Sequence, residues 1–266
     1  MKFFLSGPSD IIFTSRWIFD SSNLLKQIHK WNTQLPWIQS YYALKSNPSE
    51  EMVKILSEHN VGFDAASNQE VLLAKKYSND IIYTNPHTIL HEGTPYLKDV
   101  RFKVVDDIRE IDNLKSVDVL IRMNSCIETA NCKFDSKFGC TREEAYEIIH
   151  YANKHNLKVR GISFHIGSGG IHNRKKAYLT AYKYANPLLQ YLRSLFNEVP
   201  ILDIGGGLLP NSNLSEILGW TKYLPYEIIA EPGRYYSEPS YHLFTQIISK
   251  TKRGIFLDNG VYHELN

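Results

Sequence analysis

Cysteine is scarce in this chain of 266 residues, which has only three: Cys126, Cys132 and Cys140. They are odd in number and irregularly spaced, and no second cluster accompanies them. A disulfide framework or a zinc site needs paired or regularly spaced ligands, so the sequence favours neither. We therefore expect free thiols, no metal site and a reducing compartment.

Charge of one sign and long apolar runs are also lacking. Thirty Lys and Arg against 28 Asp and Glu leave a net charge of +2, without a block of like charges. Nothing in this balance indicates a nucleic-acid partner. The apolar residues 3–5 are too few for the core of a signal peptide, and no later run is long enough to cross a bilayer. We expect a cytoplasmic protein with a small-molecule partner and no membrane or nucleic-acid partner.

One stretch, residues 41–48 (YYALKSNP), organises the rest of the chain. Residues 37–44 are aromatic and apolar without a turn signal, which is typical of a buried strand. Residues 47–50 (NPSE) then predict the start of a helix, with Asn47 as its cap. Lys45 therefore lies in a strand-to-helix loop, where desolvation would lower its pKa and let the amine condense with an aldehyde. A solvated loop lysine is the plainer alternative.

Seven more strands are predicted, at residues 61–66, 81–83, 102–105, 117–123, 159–165, 201–204 and 227–230. Strands that alternate with helices indicate parallel pairing, and eight of them over about 200 residues predict an α/β protein with a (β/α)8 TIM barrel. A doubly wound sheet is the competing fold. Strands near residues 11–14, 243–248 and 254–257 lie outside this alternation. We expect an N-terminal strand segment over residues 1–20, a barrel over 21–236 and the start of a C-terminal β domain over 237–266.

Polar residues and glycines occupy the predicted carboxyl ends of the strands: Lys45, Asp64, Asn85, Arg122, His165, Gly205, Gly206, Gly207 and Glu231. In a barrel these ends meet at one mouth, where barrel enzymes keep their active sites, whereas an open sheet would scatter them. The three glycines let backbone N–H groups approach an anion, and Arg234 adds a permanent positive charge. Together they predict a phosphate site.

Most of these residues also have a structural explanation. Three glycines can form a tight turn, Glu231 can pair with Arg234, and a lone His165 at a buried strand end is more often a core residue. Glu70 can serve as the reciprocal partner of Ser67 in a capping box. Asp64 and Arg122 are harder to explain in this way, because a buried acid or base needs a partner or a ligand.

Seven segments resemble, in order, the barrel-type (fold type III) pyridoxal-phosphate decarboxylases, most closely the ornithine decarboxylase branch, with diaminopimelate and arginine decarboxylases as relatives. They are 42–47 (YALKSN), 62–67 (GFDAAS) with Glu70, 82–86 (IYTNP), 137–139 (KFG), 163–169 (SFHIGSG), 203–207 (DIGGG) and 231–236 (EPGRYY). Each is weak or moderate alone, but the ordered set is highly specific. The resemblance implies decarboxylation of a basic amino acid with pyridoxal 5'-phosphate, ornithine giving putrescine in polyamine biosynthesis being the favoured case.

The same resemblance implies roles for individual residues. Lys45 would carry the cofactor as a Schiff base, Glu231 would bind the pyridine nitrogen, and His165 would stack on the ring. The remaining cofactor contacts would come from Ser168, Gly205, Gly206, Gly207 and Arg234 at the phosphate, and from Asp64, Glu70 and Arg122 around the lysine and the ring. The complete form would be a homodimer.

Two features depart from the family. Residues 258–264 (DNGVYHE) stand where ornithine decarboxylases resemble Asn-Asp-Gly-Val-Tyr-Gly-Ser, whose Asp holds the distal amine of the substrate. That position is Asn259 here, so we expect Asp258 or Glu264 to supply the acid. The family also continues into a β domain whose cysteine and acid, given across the dimer, and late tyrosine have no counterpart in this chain. We therefore expect cofactor binding with little turnover by this polypeptide alone.

Two other functions stay open. A non-catalytic relative that pairs with regulators of polyamine synthesis would keep the fold, but it has no need of an intact cofactor site. A single-barrel protein that binds pyridoxal phosphate for cofactor balance would explain a small β region, but not the decarboxylase-like ending after residue 237.

Overall fold

The computed structural model describes residues 15–86, 97–114, 117–125, 138–167 and 170–260. The strands are β1 (Arg16–Phe19), β2 (Ile38–Ala43), β3 (Gly62–Ala65), β4 (Ile81–Tyr83), β5 (Phe102–Val105), β6 (Asp118–Met123), β7 (Val159–Phe164), β8 (Ile201–Asp203), β9 (Glu227–Ala230), β10 (Tyr241–Phe244), β11 (Ile247–Thr251) and β12 (Gly254–Leu257). The helices are α1 (Ser21–Gln34), α2 (Glu50–Glu58), α3 (Asn68–Lys75), α4 (Arg142–Lys154), α5 (Arg174–Phe196), α6 (Leu214–Leu218) and α7 (Arg234–Ser237). Short 3₁₀ segments cover Leu44–Ser46, Leu97–Asp99, Ile108–Asn113, Gly219–Tyr223 and Glu238–Ser240.

Strands β2 to β9 form a closed parallel barrel in chain order. The barrel closes where β2 pairs with β9, with Ile38 opposite Ile228 and Ser40 opposite Ala230. The predicted (β/α)8 barrel is therefore confirmed, and the doubly wound alternative is wrong because an open sheet has no such closing pair.

Two apolar cores follow from the alternation of side chains along each strand. A small core fills the barrel interior with Tyr41, Ile82, Phe102, Val104, Leu120, Ile201 and Ile229. A larger core lies between the barrel wall and the surrounding helices, with α5 contributing one of its longest apolar faces. The interior core fixes which strand positions face the barrel axis.

Local chemistry moves some predicted element boundaries. Ser49, rather than Asn47, caps the helix after Lys45, because the Ser49 hydroxyl accepts from the Met52 N–H and α2 begins at Glu50. Asn47 instead accepts from the Ser49 N–H through its side chain. The segment after β5 is a 3₁₀ turn, Ile108–Asn113, where helical spacing was expected.

Two small antiparallel sheets lie outside the barrel. β1 pairs with β10, and β11 pairs with β12, so the predicted strand at 243–248 is in fact divided between β10 and β11. The expected partner strand near 11–14 lies outside the described residues, and β1 supplies the pairing instead. The boundaries 1–20, 21–236 and 237–266 stay a prediction.

The described part of the chain contains no helix that is both long enough and apolar enough to cross a membrane.

Candidate active site

The barrel delivers polar side chains to its carboxyl-terminal mouth through the two-residue period of its strands. Residues two or four positions beyond an interior apolar residue face the same side of the strand. Leu120 thus leads to Arg122 and Ile229 leads to Glu231, while Lys45 lies in the turn directly after β2. The same rule leads from Ile201 to Asp203. On β7, Ile162 and Phe164 belong to the outer core, so the alternating position that leads to His165 faces the interior. The mouth is therefore polar although the interior is apolar.

Lys45 lies in the 3₁₀ turn that follows β2, with its Nζ atom 3.1 Å from Asp64 Oδ2. The Lys45 side chain is 47% exposed, whereas the Asp64 side chain is buried. Attraction to Asp64 raises the pKa of Lys45 and outweighs the opposite effect of burial. The expectation of a lowered lysine pKa is wrong, because the neighbouring strand places a carboxylate against the amine.

Asp64 also accepts a hydrogen bond from the Thr84 hydroxyl through Oδ1. Both carboxylate oxygens are therefore engaged, which holds Asp64 in position beneath Lys45. Thr84 directly follows a predicted strand, and that position in the sequence was the available signal for a role at the mouth.

Glu70 is the third residue of α3 and interacts electrostatically with both Asp64 and Lys45. The Ser67 hydroxyl accepts from the Glu70 N–H at 3.2 Å, as a capping box requires. The Glu70 carboxylate, however, accepts from the Ala66 N–H at 2.6 Å, one residue before the cap. The Glu70 carboxylate therefore interacts more strongly with the Ala66 N–H than with the Ser67 N–H that the capping box predicts, and partial burial raises the pKa of Glu70.

Glu231 follows β9 and forms a buried pair of carboxyl groups with Asp203 at the end of β8. Asp203 Oδ1 accepts from the Gly205 N–H at 2.9 Å, while Oδ2 has no hydrogen-bond partner among the described residues. Burial and mutual repulsion raise the pKa of Glu231 well above its usual value, and burial raises the pKa of Asp203 to about 6. Two buried carboxyl groups in contact cannot both ionise near neutral pH, so the pair holds one proton. In the sequence, Asp203 is the first residue of the segment 203–207 (DIGGG), and no separate role for it was predicted.

His165 follows β7 and is held by its own loop, because the Gly167 N–H donates to Nδ1 at 2.9 Å. Burial, with the positive charges of Lys45, Arg122 and Arg234, lowers the pKa of His165 well below its usual value. The ring is therefore neutral, with its hydrogen on Nε2 because Nδ1 accepts.

The loop Gly205, Gly206 and Gly207 packs against His165 and Glu231. Gly205 and Gly207 have φ of +63° and +105°, which side chains rarely adopt. A Cβ on Gly206 would lie 2.8 Å from the Glu231 carbonyl oxygen and 3.0 Å from His165 Nε2. Within the described ranges, no acceptor contacts the N–H groups of Gly206, Gly207 or Leu208.

The two predicted arginines differ in their surroundings. Arg122 lies over the ring of Phe138, with its Cζ 5.2 Å from the ring centroid. Arg234 is the first residue of α7 and is exposed. Among the described side chains, Arg234 makes no ion pair with Glu231. The structural explanation of Glu231 as the partner of Arg234 is therefore wrong.

The remaining predicted residues are Ser168, Asp258, Asn259 and Glu264. Ser168 and Glu264 lie outside the described residues, so their roles stay predictions. Asp258 Oδ1 accepts from the Ser15 hydroxyl at 2.5 Å and from the Gln246 N–H at 2.8 Å, and Asn259 follows it in the chain.

The cysteines and the metal-ligating side chains were also considered in the sequence. Of the three cysteines, Cys140 is a buried free thiol, and the other two lie outside the described residues. No cluster of three or more metal-ligating side chains occurs among the residues described.

Comparison with known proteins adds an independent finding. Residues 21–238 match the family model described as pyridoxal-dependent decarboxylase, pyridoxal binding domain. Ornithine decarboxylase of Saccharomyces cerevisiae is 29% identical, over 95% of this chain and 59% of that protein. The solved arginine decarboxylase of Paramecium bursaria Chlorella virus is 28% identical with a TM-score of 0.80, over 90% of this chain and 69% of the other. Lysine decarboxylase from Selenomonas ruminantium is 28% identical with a TM-score of 0.80, over 94% and 72%. The chain spans 37% to 63% of the length of eight curated relatives that it matches.

Proposed function

The chain belongs to the pyridoxal-dependent decarboxylases, and on that premise we propose that it acts in the decarboxylation of a basic amino acid, with ornithine as the first candidate. One observation carries the proposal. A lysine amine, a buried carboxyl pair, a neutral histidine and a glycine loop meet at one barrel mouth, and the N–H groups of the loop have no acceptor among the described residues. Because the chain spans only part of its relatives, its own activity is part of the proposal.

These residues fit pyridoxal phosphate in charge and in shape. The N–H groups of Gly206, Gly207 and Leu208 suit the phosphate, since oriented backbone donors form anion sites. Gly206 has no room for a side chain, so the backbone itself lines the site. Glu231 suits the pyridine nitrogen and Lys45 the aldehyde carbon. When bound, the cofactor supplies a ring that accepts the electron pair left on the α-carbon as carbon dioxide departs.

Lys45 and Asp64 prepare the amine. Because its pKa is raised, Lys45 is an ammonium ion near neutral pH, and its proton lies in the 3.1 Å contact with Asp64 Oδ2. Asp64 thus holds the ammonium form in place, and Lys45 must lose this proton before its amine can act as a nucleophile. Thr84 holds the other carboxylate oxygen and keeps Asp64 oriented.

Glu231, Asp203 and His165 set the charge around the ring. Glu231 would hold a proton on the ring nitrogen, and Asp203 would hold Glu231. His165 is neutral and presents an uncharged ring beside the glycine loop. It therefore does not attract the phosphate or the carboxylates as a positive charge would. Glu70, Arg122 and Arg234 complete the proposed set, the last at the phosphate.

Ornithine is favoured because the curated relatives matched here are ornithine decarboxylases, while the arginine and lysine enzymes among the solved structures keep other basic substrates open. The acid for the distal amine is proposed to be Asp258 or Glu264, since position 259 is asparagine. A role in polyamine synthesis follows if ornithine is converted to putrescine.

A cytoplasmic homodimer is part of the same proposal. Its support is the exposed apolar surface of the two small sheets, where a set of large side chains is 42% to 66% exposed: Trp17, Ile18, Phe244, Ile247, Ile248, Ile255 and Phe256. Apolar surface of this kind is typical of an interface. Sedimentation equilibrium of the chain checks the oligomeric state.

The decisive experiment pairs cofactor binding with turnover. Purified chain mixed with pyridoxal phosphate should develop the absorbance band of a lysine-bound cofactor, which Lys45→Ala should abolish. Lys54→Ala, at an exposed lysine of α2, is the control and should keep the band. Release of labelled carbon dioxide is then measured with ornithine, lysine, arginine and diaminopimelate.

The outcomes separate the open functions. Release from one basic amino acid confirms the enzyme and identifies its substrate. A Lys45-dependent band without release from any of the four favours a non-catalytic pyridoxal-phosphate-binding protein. A band that survives Lys45→Ala would overturn the assignment of this lysine.

A further inference from the structure

Two side chains of α5 hold the glycine loop from the outside of the barrel. The Tyr178 hydroxyl donates to the Gly206 carbonyl oxygen at 2.7 Å, and Arg174 Nε donates to the Gly207 carbonyl oxygen at 3.0 Å. Tyr178 is fully buried, and its hydroxyl reaches this carbonyl across 28 positions of the chain. Consecutive peptide groups of the loop are thus tied to one helix.

These ties set the direction of the loop's donors. In a trans peptide group the C=O and the following N–H point to opposite sides. With the Gly206 and Gly207 carbonyls held toward α5, the N–H groups of Gly207 and Leu208 face away from it. Leu208 is buried, and the described residues offer neither N–H an acceptor. Gly207 is half-buried, so both N–H groups lie where solvent access is reduced and a ligand that supplies an acceptor would be favoured.

The ties are needed because the loop has little stiffness of its own. Glycine peptide groups rotate more freely than others, since no Cβ restricts them. Tyr178 is a durable donor, because burial raises the pKa of its hydroxyl and keeps the proton in place. Arg174 is always charged and adds positive charge on the side of the loop that faces α5.

We propose that Tyr178 and Arg174 are positioning residues of an anion site, which turn the N–H groups of Gly207 and Leu208 toward a phosphate monoester. The inference rests on the proposed function, since the phosphate monoester is that of pyridoxal phosphate. Neither side chain touches the ligand; each acts through a carbonyl oxygen of the loop.

The test compares ligands with and without the phosphate. Tyr178→Phe removes only the hydroxyl, and Arg174→Gln removes the charge while keeping most of the side-chain volume. Dissociation constants are measured by absorbance titration for pyridoxal 5'-phosphate and for pyridoxal, with inorganic phosphate as a competitor. Each variant should bind pyridoxal phosphate about tenfold more weakly, the effect of one lost hydrogen bond, while pyridoxal affinity stays within about twofold. Competition by inorganic phosphate should weaken in parallel.

Two control variants isolate the effect. Tyr182→Phe alters a hydroxyl one turn along α5 that donates to Asn186, and Lys175→Ala removes an exposed charge beside Arg174. Both should bind pyridoxal phosphate as wild type does, and urea unfolding reports the stability of every variant.

Each result has a distinct meaning. Equal losses for pyridoxal and pyridoxal phosphate would mean a purely structural role and would overturn the inference, as would unchanged affinity. If Tyr178→Phe does not fold, Arg174→Gln decides alone. Wild-type protein that binds pyridoxal phosphate no better than pyridoxal would instead refute the phosphate site of the proposed function.

Discussion

Asp203 and Glu231 are two buried carboxyl groups in contact, an arrangement that is energetically unfavourable when both are ionised. Each ionised form is destabilised by burial and by the other charge, so the free energy is lower when the pair holds one proton. The groups that face the pair are Asp64, whose charge further raises both pKa values, and Lys45, whose charge lowers that of Glu231. Ser163, on β7, also bonds Asp203. A pair that carries one proton near neutral pH suits a site that must protonate a ring nitrogen.

The pair predicts a pH-dependent stability difference. The pKa of Asp203 is 3.8 in the unfolded chain and about 6 in the folded protein, so its contribution is full below 3.8 and is lost as the pH rises through 6. Asp203→Asn removes this pH-dependent loss of stability. Its amide group also places a hydrogen-bond donor at the position of Oδ2, which has no partner in the described part of the chain. We expect the free energy of unfolding of the variant, relative to wild type, to rise by about 2 kcal/mol between about pH 4 and pH 7.

Urea unfolding across this pH range makes the measurement. Glu147→Gln, at an exposed glutamate of α4, should show no pH-dependent difference from wild type. A difference for Asp203→Asn that does not vary with pH would contradict the shared proton.

At the level of elements, the barrel uses one device twice. After β3, the Glu70 carboxylate binds the Ala66 N–H, and after β5, the Glu110 carboxylate binds the Asp106 N–H at 3.1 Å. In both cases a glutamate in the following turn satisfies the first N–H beyond the strand. The second copy also holds a buried lysine.

Lys103 points from β5 into the layer outside the barrel and is fully buried. Its Nζ donates to the Asn85 and Val104 carbonyl oxygens at 2.6 and 2.8 Å and lies 3.6 Å from Glu110 Oε2. Burial lowers the pKa of Lys103 from 10.5 to about 8, although Glu110 opposes the shift. The turn after β5 is thus joined to the loop after β4 by one ammonium group.

This ion pair should be strongly coupled. Lys103→Met alone is expected to lower the free energy of unfolding by about 3 kcal/mol, because Glu110 remains buried without its cation. Adding Glu110→Gln should restore most of the loss, since the amide oxygen can still accept from Asp106. Wild type should also gain stability relative to the double variant from pH 8 to pH 10.5, because only folded Lys103 releases its proton there.

A double-mutant cycle by urea unfolding tests this coupling. The matched control is Lys76→Met with Glu50→Gln, an exposed pair 3.0 Å apart, whose coupling should be below about 1 kcal/mol. Equal coupling energies for the two pairs would show that burial adds nothing.

Across the whole molecule, the two small sheets are joined to the barrel and to each other by a few polar contacts. The Tyr241 hydroxyl makes a very short hydrogen bond with Ser49, which caps α2 of the barrel. Asp258 links β12 to Ser15 ahead of β1, a contact between residues 243 positions apart. Hydrogen bonding by Ser15 lowers the pKa of Asp258, so the carboxylate form makes this contact.

Asp258→Asn separates a structural from a substrate role. If the contact with Ser15 and Gln246 is its function, the variant should be cleaved several-fold faster by protease around residues 241–258 without any substrate. KM for ornithine should then stay unchanged. Ser15→Ala should reproduce the faster cleavage, because it removes the same bond from the other side. A raised KM with wild-type protease resistance would instead place Asp258 at the substrate.

The sequence by itself determined the architecture and the location of the site. Alternating strands and helices are local patterns, and they were enough to predict the closed barrel and to place Lys45, Asp64, Arg122, His165 and Glu231 at strand ends. The sequence also predicted the glycine loop, because glycine at a strand end indicates a backbone that must turn or approach a ligand closely.

Only the tertiary structure decided the protonation and the supporting contacts of these groups. The raised pKa of Lys45 comes from Asp64 on a neighbouring strand, and the shared proton of Asp203 and Glu231 comes from burial that neither residue shows in the sequence. Nothing in the local sequence around Tyr178 indicates that its hydroxyl donates to the Gly206 carbonyl oxygen, 28 positions along the chain. Electrostatic and hydrogen-bond energies depend on distances between residues far apart in the chain, and those distances exist only once the barrel has closed.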